Sequence, residues 1–211
     1  MERRREIHNR VLNAKNKEEL AATYDEWAEQ YDRDLVDDMG YVAPVLACQR
    51  LLGYLEDIQA KILDAGCGTG LVGAYLYQHG YRNLDGLDYS PKMLSQAEAK
   101  GAYCNLHQGD LTGQISLADN CYTAIISVGT FTSGHVGPES FHELIRITKP
   151  GGYLCFTVRD RAWEEDNYRK TMDSIEKSGA WKLIEERYSD YIREDGSNCM
   201  ICVYRKALQR S

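Results

Sequence analysis

The chain has 211 residues, 43% of them hydrophobic and 27% charged, which are ordinary values for a single globular domain. Its formal net charge of −7 argues against a nucleic-acid partner, because such partners are bound through a basic surface. The seven cysteines are odd in number and scattered, which is typical of free thiols in a reducing compartment.

The first predicted segment is a polar tail without the apolar stretch that a signal peptide or a membrane anchor needs. The arginines at 3–5 stand between Glu2 and Glu6, and no apolar core follows them. No segment approaches the roughly 18 apolar residues that span a bilayer. We therefore expect an intracellular protein, cytoplasmic or nuclear, with no membrane partner and with residues 1–16 solvated and loosely held.

A helix is predicted next, because Asn16 and Glu19 resemble a capping box with Asn in place of Ser or Thr. One apolar helical stripe then follows at Leu20, Tyr24, Trp27, Ala28 and Tyr31. The stripe either packs the helix on the domain or covers a ligand with its two tyrosines. The acidic stretch 32–40 predicts a loop, and we interpret residues 32–38 as a hinge that contributes little packing. We therefore divide the single domain, 1–211, into a tail and helical lid at 1–40 and a core at 41–211.

A second helix is predicted near residues 45–55. It is followed by a predicted strand, a glycine turn and a third helix. Ile62 and Leu63 form a short apolar run, and three glycines at alternate positions, Gly66, Gly68 and Gly70, precede a helical pattern. Such a turn lets a ligand approach the backbone and presents free N–H groups, although it also occurs as a plain connection. The spacing differs from the G-x-G-x-x-G of dinucleotide sites. Asp64 would repel a pyrophosphate and suits a ligand that carries positive charge.

The remaining elements alternate, which predicts a parallel sheet. Strands are expected near 83–88, 103–107, 124–128 and 153–158, and helices are expected to begin at Ser90-Pro91 and at Pro138 and to cover 165–178. Lys149-Pro150-Gly151-Gly152 should end a helix. Asp195-Gly196 predicts a terminal hairpin. The fold class is α/β, a Rossmann-like, doubly wound, seven-stranded sheet that is mostly parallel, with an antiparallel C-terminal strand.

Cys199 and Cys202 have the C-x-x-C spacing of a metal or redox site, yet they lie in an apolar run that predicts a strand. Residues at i and i+3 of a strand face opposite sides of the sheet. We therefore interpret both cysteines as small buried hydrophobic residues and expect no metal.

Three carboxylates follow the first three predicted strands. Ligands of doubly wound sheets bind at the carboxyl ends of the strands. Asp64 ends the first strand, and Asp88 ends the second, where a carboxylate can accept both hydroxyls of a ribose. Asp110 follows the third strand, where a carboxylate can accept from an exocyclic amine such as that of adenine. In register with the glycine turn, these residues predict a nucleoside site.

These motifs resemble a known family. The segments 64–70, 87–93, 109–111 and 149–152 are similar to the successive motifs of class I S-adenosylmethionine-dependent methyltransferases. The segment 24–32, Tyr-Asp-Glu-Trp-Ala-Glu-Gln-Tyr-Asp, resembles the N-terminal motif of the small-molecule branch, as in ubiquinone-biosynthesis methyltransferases. Over its whole length the chain resembles methyltransferase-like proteins of the Williams–Beuren syndrome chromosome region type.

The resemblance implies S-adenosyl-L-methionine as cofactor and S-adenosyl-L-homocysteine as product. Asp64 and the turn would hold the methionine part, Asp88 the ribose, and Asp110 the adenine edge. Tyr24 and Tyr31 would close over the methionine end. The cofactor-binding residues implied are Tyr24, Tyr31, Asp64, Gly66, Cys67, Gly68, Gly70, Asp88, Tyr89, Met93, Asp110, Leu111, Ser127 and Val128.

The acceptor is less clearly indicated. After the fourth predicted strand the chain lacks the Asn-Pro-Pro-Tyr-like tetrapeptide of enzymes that methylate amide or nucleobase nitrogens, so we expect a small-molecule acceptor and in-line methyl transfer. His135 in that segment is the candidate catalytic base, the alternative being a structural or exposed histidine. Four residues are candidates for the substrate pocket, or else ordinary packing residues: Trp27, Arg159, Trp163 and Tyr168.

Two other functions stay open. The chain could be an S-adenosylmethionine-binding regulatory or interaction protein without significant turnover, since no catalytic-base motif is recognisable beyond the single candidate His135. It could also be a nicotinamide dehydrogenase. We expect no obligate protein partner in any of these cases.

Overall fold

The computed structural model describes residues 6–208 except 8, 12 and 15, so the predicted solvated arginines at 3–5 lie outside the described residues. Beyond residue 16 the helices are α1 (Lys17–Trp27), α2 (Ala43–Leu52), α3 (Leu71–Gln78), α4 (Pro91–Ala99), α5 (Phe141–Ile147), α6 (Asp160–Glu165) and α7 (Tyr168–Lys177). A π-helical turn covers Arg33–Asp38, and a 3₁₀ turn covers Pro138–Ser140. The strands are β1 (Ile62–Ala65), β2 (Leu84–Asp88), β3 (Asn105–Gln108), β4 (Tyr122–Phe131), β5 (Thr148–Arg159), β6 (Trp181–Ile192) and β7 (Ser197–Lys206).

The strands form one seven-stranded sheet in the order β3-β2-β1-β4-β5-β7-β6. The pairs among β1 to β5 are parallel, and β7 is antiparallel to both of its neighbours. Ile62 of β1 lies beside Leu84 of β2 and Ala124 of β4. The predicted fold class is therefore confirmed. The chain order reverses between β1 and β4, so a crevice opens there at the carboxyl ends of the strands.

The sheet separates two hydrophobic clusters because successive strand residues point to opposite faces. Ile62 and Ile126 belong to one cluster, and Leu63 and Ile125 belong to the other. Cys199 and Cys202 are divided in the same way, both are buried, and both are free thiols. Their interpretation as buried hydrophobic residues on opposite faces is confirmed.

The prediction of a loosely held segment before residue 17 is wrong for two residues. Ile7 and Val11 are buried in the same cluster as Ile62. Their four-residue spacing places them on one face of a helical turn, so both can reach the core while Asn9 and Arg10 are exposed.

The prediction of an acidic loop at 32–40 is also wrong. The Arg33–Asp38 turn is helical, and Leu35 is only 4% exposed. Leu35 and Met39 both pack in the core cluster at helical spacing, and Asp34 accepts a hydrogen bond from the indole of Trp27. Burial of these two apolar side chains outweighs the local preference of the aspartates for solvent.

Two smaller differences concern the C-terminal half. The helix expected over 165–178 begins only at Tyr168, as α7, because a separate helix, α6, ends at Glu165 and Asn167, with φ +59°, lies between them. The segment 149–152 does follow a helix, but it lies inside β5 rather than in a loop. None of the helices described for this chain is long and apolar enough to cross a membrane.

Candidate functional site

A cleft opens at the carboxyl ends of β1, β2 and β4, beneath α1, and encloses about 870 Å³ of empty space including its mouth. Most of the predicted cofactor residues and the predicted base line it together: Tyr24, Tyr31, Gly66, Gly68, Asp88, Tyr89, Met93, Asp110, Leu111, Val128 and His135. Residues that the sequence did not single out complete the wall, among them Lys17, Thr112 and Thr130.

The glycine turn forms the floor of this cleft. The N–H groups of Gly66 and Cys67 both donate to the carbonyl of Leu87, at 2.7 and 3.0 Å, and fix the turn beside β2. A Cβ on Gly66 would lie 2.2 Å from Oγ1 of Thr130, whereas a Cβ on Gly68 would meet nothing within 4 Å. Gly66 is therefore required by packing, and Gly68 leaves space on the side of the cleft.

Asp88 is held rigidly at the end of β2. Its Oδ2 accepts from the N–H of Gly68 and its Oδ1 from the N–H of Ser90, both at 2.8 Å. Burial raises the pKa of the Asp88 carboxyl, although these backbone hydrogen bonds oppose the shift. Each carboxylate oxygen has a further lone pair, so the group can still accept two hydroxyls from the cleft.

Asp64 lies behind the turn, is 2% exposed, and is not among the residues that line the cleft. Tyr103 donates to its Oδ2 at 2.6 Å and itself accepts from the N–H of Gly73. The other oxygen, Oδ1, has no hydrogen-bond partner among the described residues. Burial raises the pKa of the Asp64 carboxyl to about 7. A buried carboxylate with one unpaired oxygen is a fitting partner for a cationic ligand.

Asp110 is paired with the N-terminal helix. Lys17 Nζ lies 2.8 Å from its Oδ2, and Thr112 donates to its Oδ1 through both its N–H and its hydroxyl. Burial acts to raise the pKa of the Asp110 carboxyl, but these hydrogen bonds outweigh it and the pKa lies below its ordinary value. The carboxylate is therefore charged at neutral pH.

Two more aspartates fasten the N-terminal segment over the cleft. Asp25 of α1 accepts a hydrogen bond from the hydroxyl of Ser90. Asp32 accepts from the hydroxyl of Thr69, in the glycine turn, and its Oδ2 lies 2.6 Å from Nζ of Lys100. Together with Lys17, these contacts bind the segment to the loops after β1, β2 and β3.

A second pocket, called here the side pocket, shares Tyr24, Tyr31, Gly129 and His135 with the cleft and encloses about 370 Å³ of empty space. Its other described lining residues are Val11, Trp27, Leu35, Thr132, Arg159, Tyr191 and Ile192. Two of the four predicted substrate-pocket residues, Trp27 and Arg159, therefore lie beside the cleft.

His135 stands where the two pockets join. Its Nδ1 lies 3.2 Å from the carbonyl of Ser133, and its Nε2 lies 3.4 Å from the hydroxyl of Tyr24. Because a carbonyl only accepts, we assign the proton of the neutral ring to Nδ1, which leaves Nε2 as the basic nitrogen. Burial lowers the pKa of His135, and the charge of Arg159 lowers it further. The ring is therefore neutral at pH 7.

Several predicted site residues lie away from both pockets. Cys67 and Gly70 belong to the turn but do not line the cleft. Ser127 is fully buried and donates to the carbonyl of Ala65 at 2.7 Å. Trp163 packs beneath the guanidinium of Arg169. Tyr168 lies in the core, where its hydroxyl donates to the carbonyl of Val136, a residue of the cleft wall.

Comparison with known proteins gives concordant results. The profile of a family described as "Methyltransferase domain" matches residues 63–156. Human Methyltransferase-like protein 27 is 37% identical over 190 residues, which cover 84% of this chain and 75% of that protein. The malonyl-[acyl-carrier protein] O-methyltransferase of Pectobacterium atrosepticum is 34% identical over 154 residues, which cover 71% of this chain and 57% of that protein.

Solved structures share the fold. A TehB-like SAM-dependent methyltransferase from Corynebacterium glutamicum has a TM-score of 0.65 against this chain at 22% identity, covering 88% of this chain and 98% of that one. At this level of identity the likeness concerns the fold alone.

Proposed function

This chain belongs to the class I S-adenosylmethionine-dependent methyltransferases, and from that premise we propose that it methylates a small molecule bound in the side pocket. The observation that carries the proposal is the junction of the two pockets at Tyr24, Tyr31, Gly129 and His135. A cofactor in the cleft and an acceptor in the side pocket would meet there, beside a neutral imidazole.

The cofactor supplies an activated methyl group on a sulfonium when it is bound. The fit rests on the space above Gly68, on the two acceptor oxygens of Asp88 and on the unpaired Oδ1 of Asp64. We assign the ribose hydroxyls to Asp88, and we infer that the charge of Asp64, which lies behind the glycine turn, attracts the ammonium group of the methionine part. Met93, Leu111 and Asp110 would surround the adenine, and Tyr24 and Tyr31 would cover the methionine end.

The chain's own residues contribute positioning, exclusion of water and a base. The aromatic rings of Tyr24, Trp27 and Tyr31 form one packed group. The centroid of the Tyr31 ring lies 6.1 Å from that of Tyr24 and 4.9 Å from that of Trp27. These rings would help to exclude water from the junction when both ligands are bound. Nε2 of His135 would take the proton of an acceptor O–H or N–H. The name of the Pectobacterium relative refers to O-methyl transfer, which favours an oxygen acceptor here.

A second candidate function, cofactor binding without significant turnover, is favoured by one contact. The hydroxyl of Tyr24 already occupies Nε2 of His135 at 3.4 Å, so the base becomes available only when this contact opens.

We also propose the narrower relationship to the Williams–Beuren type and the division into a tail and lid at 1–40 and a core at 41–211. The dehydrogenase alternative is set aside, because the family is that of methyltransferases.

Two measurements test the proposal. S-adenosylhomocysteine, but not NAD, should raise the melting temperature. Incubation of metabolite extracts with methyl-labelled cofactor should give a labelled small molecule, and His135→Gln should lower its rate at least tenfold at unchanged cofactor affinity. Because the pKa of His135 is lowered, the acid limb of the rate profile should lie below the ordinary histidine range. Tight cofactor binding without any labelled product would select the second candidate.

A further inference from the structure

The side pocket contains a charge that the described residues do not neutralise. Arg159 ends β5, is half-buried, and has its guanidinium carbon 4.7 Å from the centroid of the Tyr191 ring. None of the ion pairs among the described residues involves Arg159. Among the described lining residues of the pocket none is acidic, and most are apolar or aromatic.

Arg159 is a half-buried cation in a wall that is mostly apolar or aromatic. A cation in an apolar wall loses part of its hydration, and that cost is offset when a desolvated anion pairs with it. The charge of Arg159 also reaches the reaction junction, since it acts to lower the pKa of Tyr24, His135 and Tyr191. An anion beside Arg159 would therefore lie next to the base.

The residues that line the side pocket indicate which class of anionic ligand would fit beside Arg159. The planar guanidinium fork matches a carboxylate with two parallel hydrogen bonds. A phosphate dianion is usually held by several donors. Apart from the tyrosines and His135, the described lining residues offer the guanidinium of Arg159, the hydroxyl of Thr132 and the indole N–H of Trp27, and the last already donates to Asp34. The volume of about 370 Å³, part of it open, suits a small molecule with an apolar or aromatic body.

We propose that the acceptor is a small carboxylic acid, and that Arg159 is the specificity-determining residue that pairs with its carboxylate while its methylated group faces His135. The proposal rests on the proposed function, because it names the substrate class of the same site. It makes Arg159 a substrate-binding residue with no part in holding the cofactor.

Binding of matched probes tests this assignment. Benzoate, 4-hydroxybenzoate and 3-phenylpropionate are titrated by calorimetry into protein saturated with S-adenosylhomocysteine, each alongside its neutral amide and with phenyl phosphate as a further probe. At least one acid should bind tenfold or more tightly than its amide. Arg159→Met should remove that difference and Arg159→Lys should keep part of it. Arg161→Met changes an exposed arginine paired with Glu165, and it should change nothing.

A second readout does not depend on the choice of probe. Because the positive charge of Arg159 lowers the pKa of His135, Arg159→Met should raise that pKa in an NMR titration, and a bound acid should raise it in the unaltered protein. Equal binding of acids and amides, binding of phenyl phosphate alone, or no response of the pKa of His135 to Arg159→Met would overturn the proposal. Affinity for S-adenosylhomocysteine is measured for every variant, so a failure of the cofactor site is recognised separately.

Discussion

Lys17 and Asp110 are 93 positions apart in the chain, yet Nζ of the lysine lies 2.8 Å from Oδ2 of the aspartate. The pair joins the first turn of α1 to the loop after β3 at the mouth of the cleft. The side chains are 52% and 34% exposed, so the ion pair alone adds little to stability. Its effect is to fix where the helix sits above the cleft.

The first prediction concerns Asp88. If its oxygens accept two ribose hydroxyls, Asp88→Ala removes charge-assisted hydrogen bonds worth about 1.5–3 kcal/mol each. Affinity for S-adenosylhomocysteine should fall at least tenfold in calorimetry. Asp57→Ala, in an exposed loop, serves as the matched control. Unchanged affinity in the Asp88 variant, with a native circular dichroism spectrum, would remove Asp88 from the cofactor site.

The second prediction separates two glycines of the turn. Gly68→Val places a branched side chain in open space on the cleft side, so cofactor binding should be lost while the protein stays folded. Gly66→Val should lower the melting temperature instead, because its Cβ would overlap Oγ1 of Thr130. Both positions have positive φ, so valine strains the backbone at each of them, and the difference between the variants reports the room available for the added side chain. Normal binding by the Gly68 variant would make the turn a mere connection.

The third prediction follows from the pKa of Asp64, which is about 7 in the folded protein and about 3.9 in an unfolded chain. Between these values the folded state binds more protons at Asp64 than the unfolded state, so the contribution of this carboxyl to stability falls as pH rises from about 4 to 7 and then levels off. Asp64→Asn keeps an acceptor for Tyr103 and should flatten this part of the curve. Urea unfolding at several pH values measures it.

The same carboxyl couples to the proposed ligand in the fourth prediction. A cationic ammonium on the cleft side of the turn lowers the pKa of Asp64 behind it, so binding of S-adenosylhomocysteine at pH 7 should release up to about half a proton. Affinity should rise as pH increases through 7. Calorimetry in buffers of different ionisation enthalpy detects the released proton, and Asp64→Asn should abolish it. Binding without proton release would place the ammonium elsewhere.

The fifth prediction tests whether the N-terminal segment is a lid. Hydrogen exchange over residues 17–40 should slow when S-adenosylhomocysteine binds, and the β6–β7 hairpin should change little. Lys17→Met removes one of the fastening contacts and should speed exchange in the empty protein, whereas Lys182→Met on β6 should not. Tyr24→Phe should weaken the protection if its hydroxyl reaches the cofactor. Strong protection that is the same with and without ligand would make the segment a fixed part of the domain.

The sequence predicted what is encoded locally. The alternation of strands and helices predicted the sheet, and the positions of the strand ends predicted that Asp88 and the glycine turn belong to the cofactor site. Each of these features is visible within a few neighbouring residues. The partners of Lys17, Asp25 and Asp32 were not predicted, since side chains that meet only after folding leave no short-range pattern. Leu35 was missed because the aspartates around it concealed an apolar pair with Met39.

Only some of the predicted substrate-pocket residues line the side pocket, and the sequence could not distinguish them because their positions depend on tertiary packing. Arg159 and Tyr168 both follow the fifth predicted strand, and no local pattern distinguishes them. The end of β5 places Arg159 in the pocket wall, whereas the break at Asn167 rotates Tyr168 into the core. The role of a residue beyond a strand end depends on the path of the loop, and that path is set by tertiary packing.

The insertion of β7 between β5 and β6 has a consequence for biosynthesis. Residues 148–159 and 181–192 emerge from the ribosome before 197–206, yet β5 and β6 pair only through β7. Until that strand arrives, both neighbours present unpaired backbone N–H and C=O groups, which are templates for association with other nascent chains. Chaperone binding during translation should therefore concentrate on this half of the sheet, and truncation after Asp195 should yield an aggregating product.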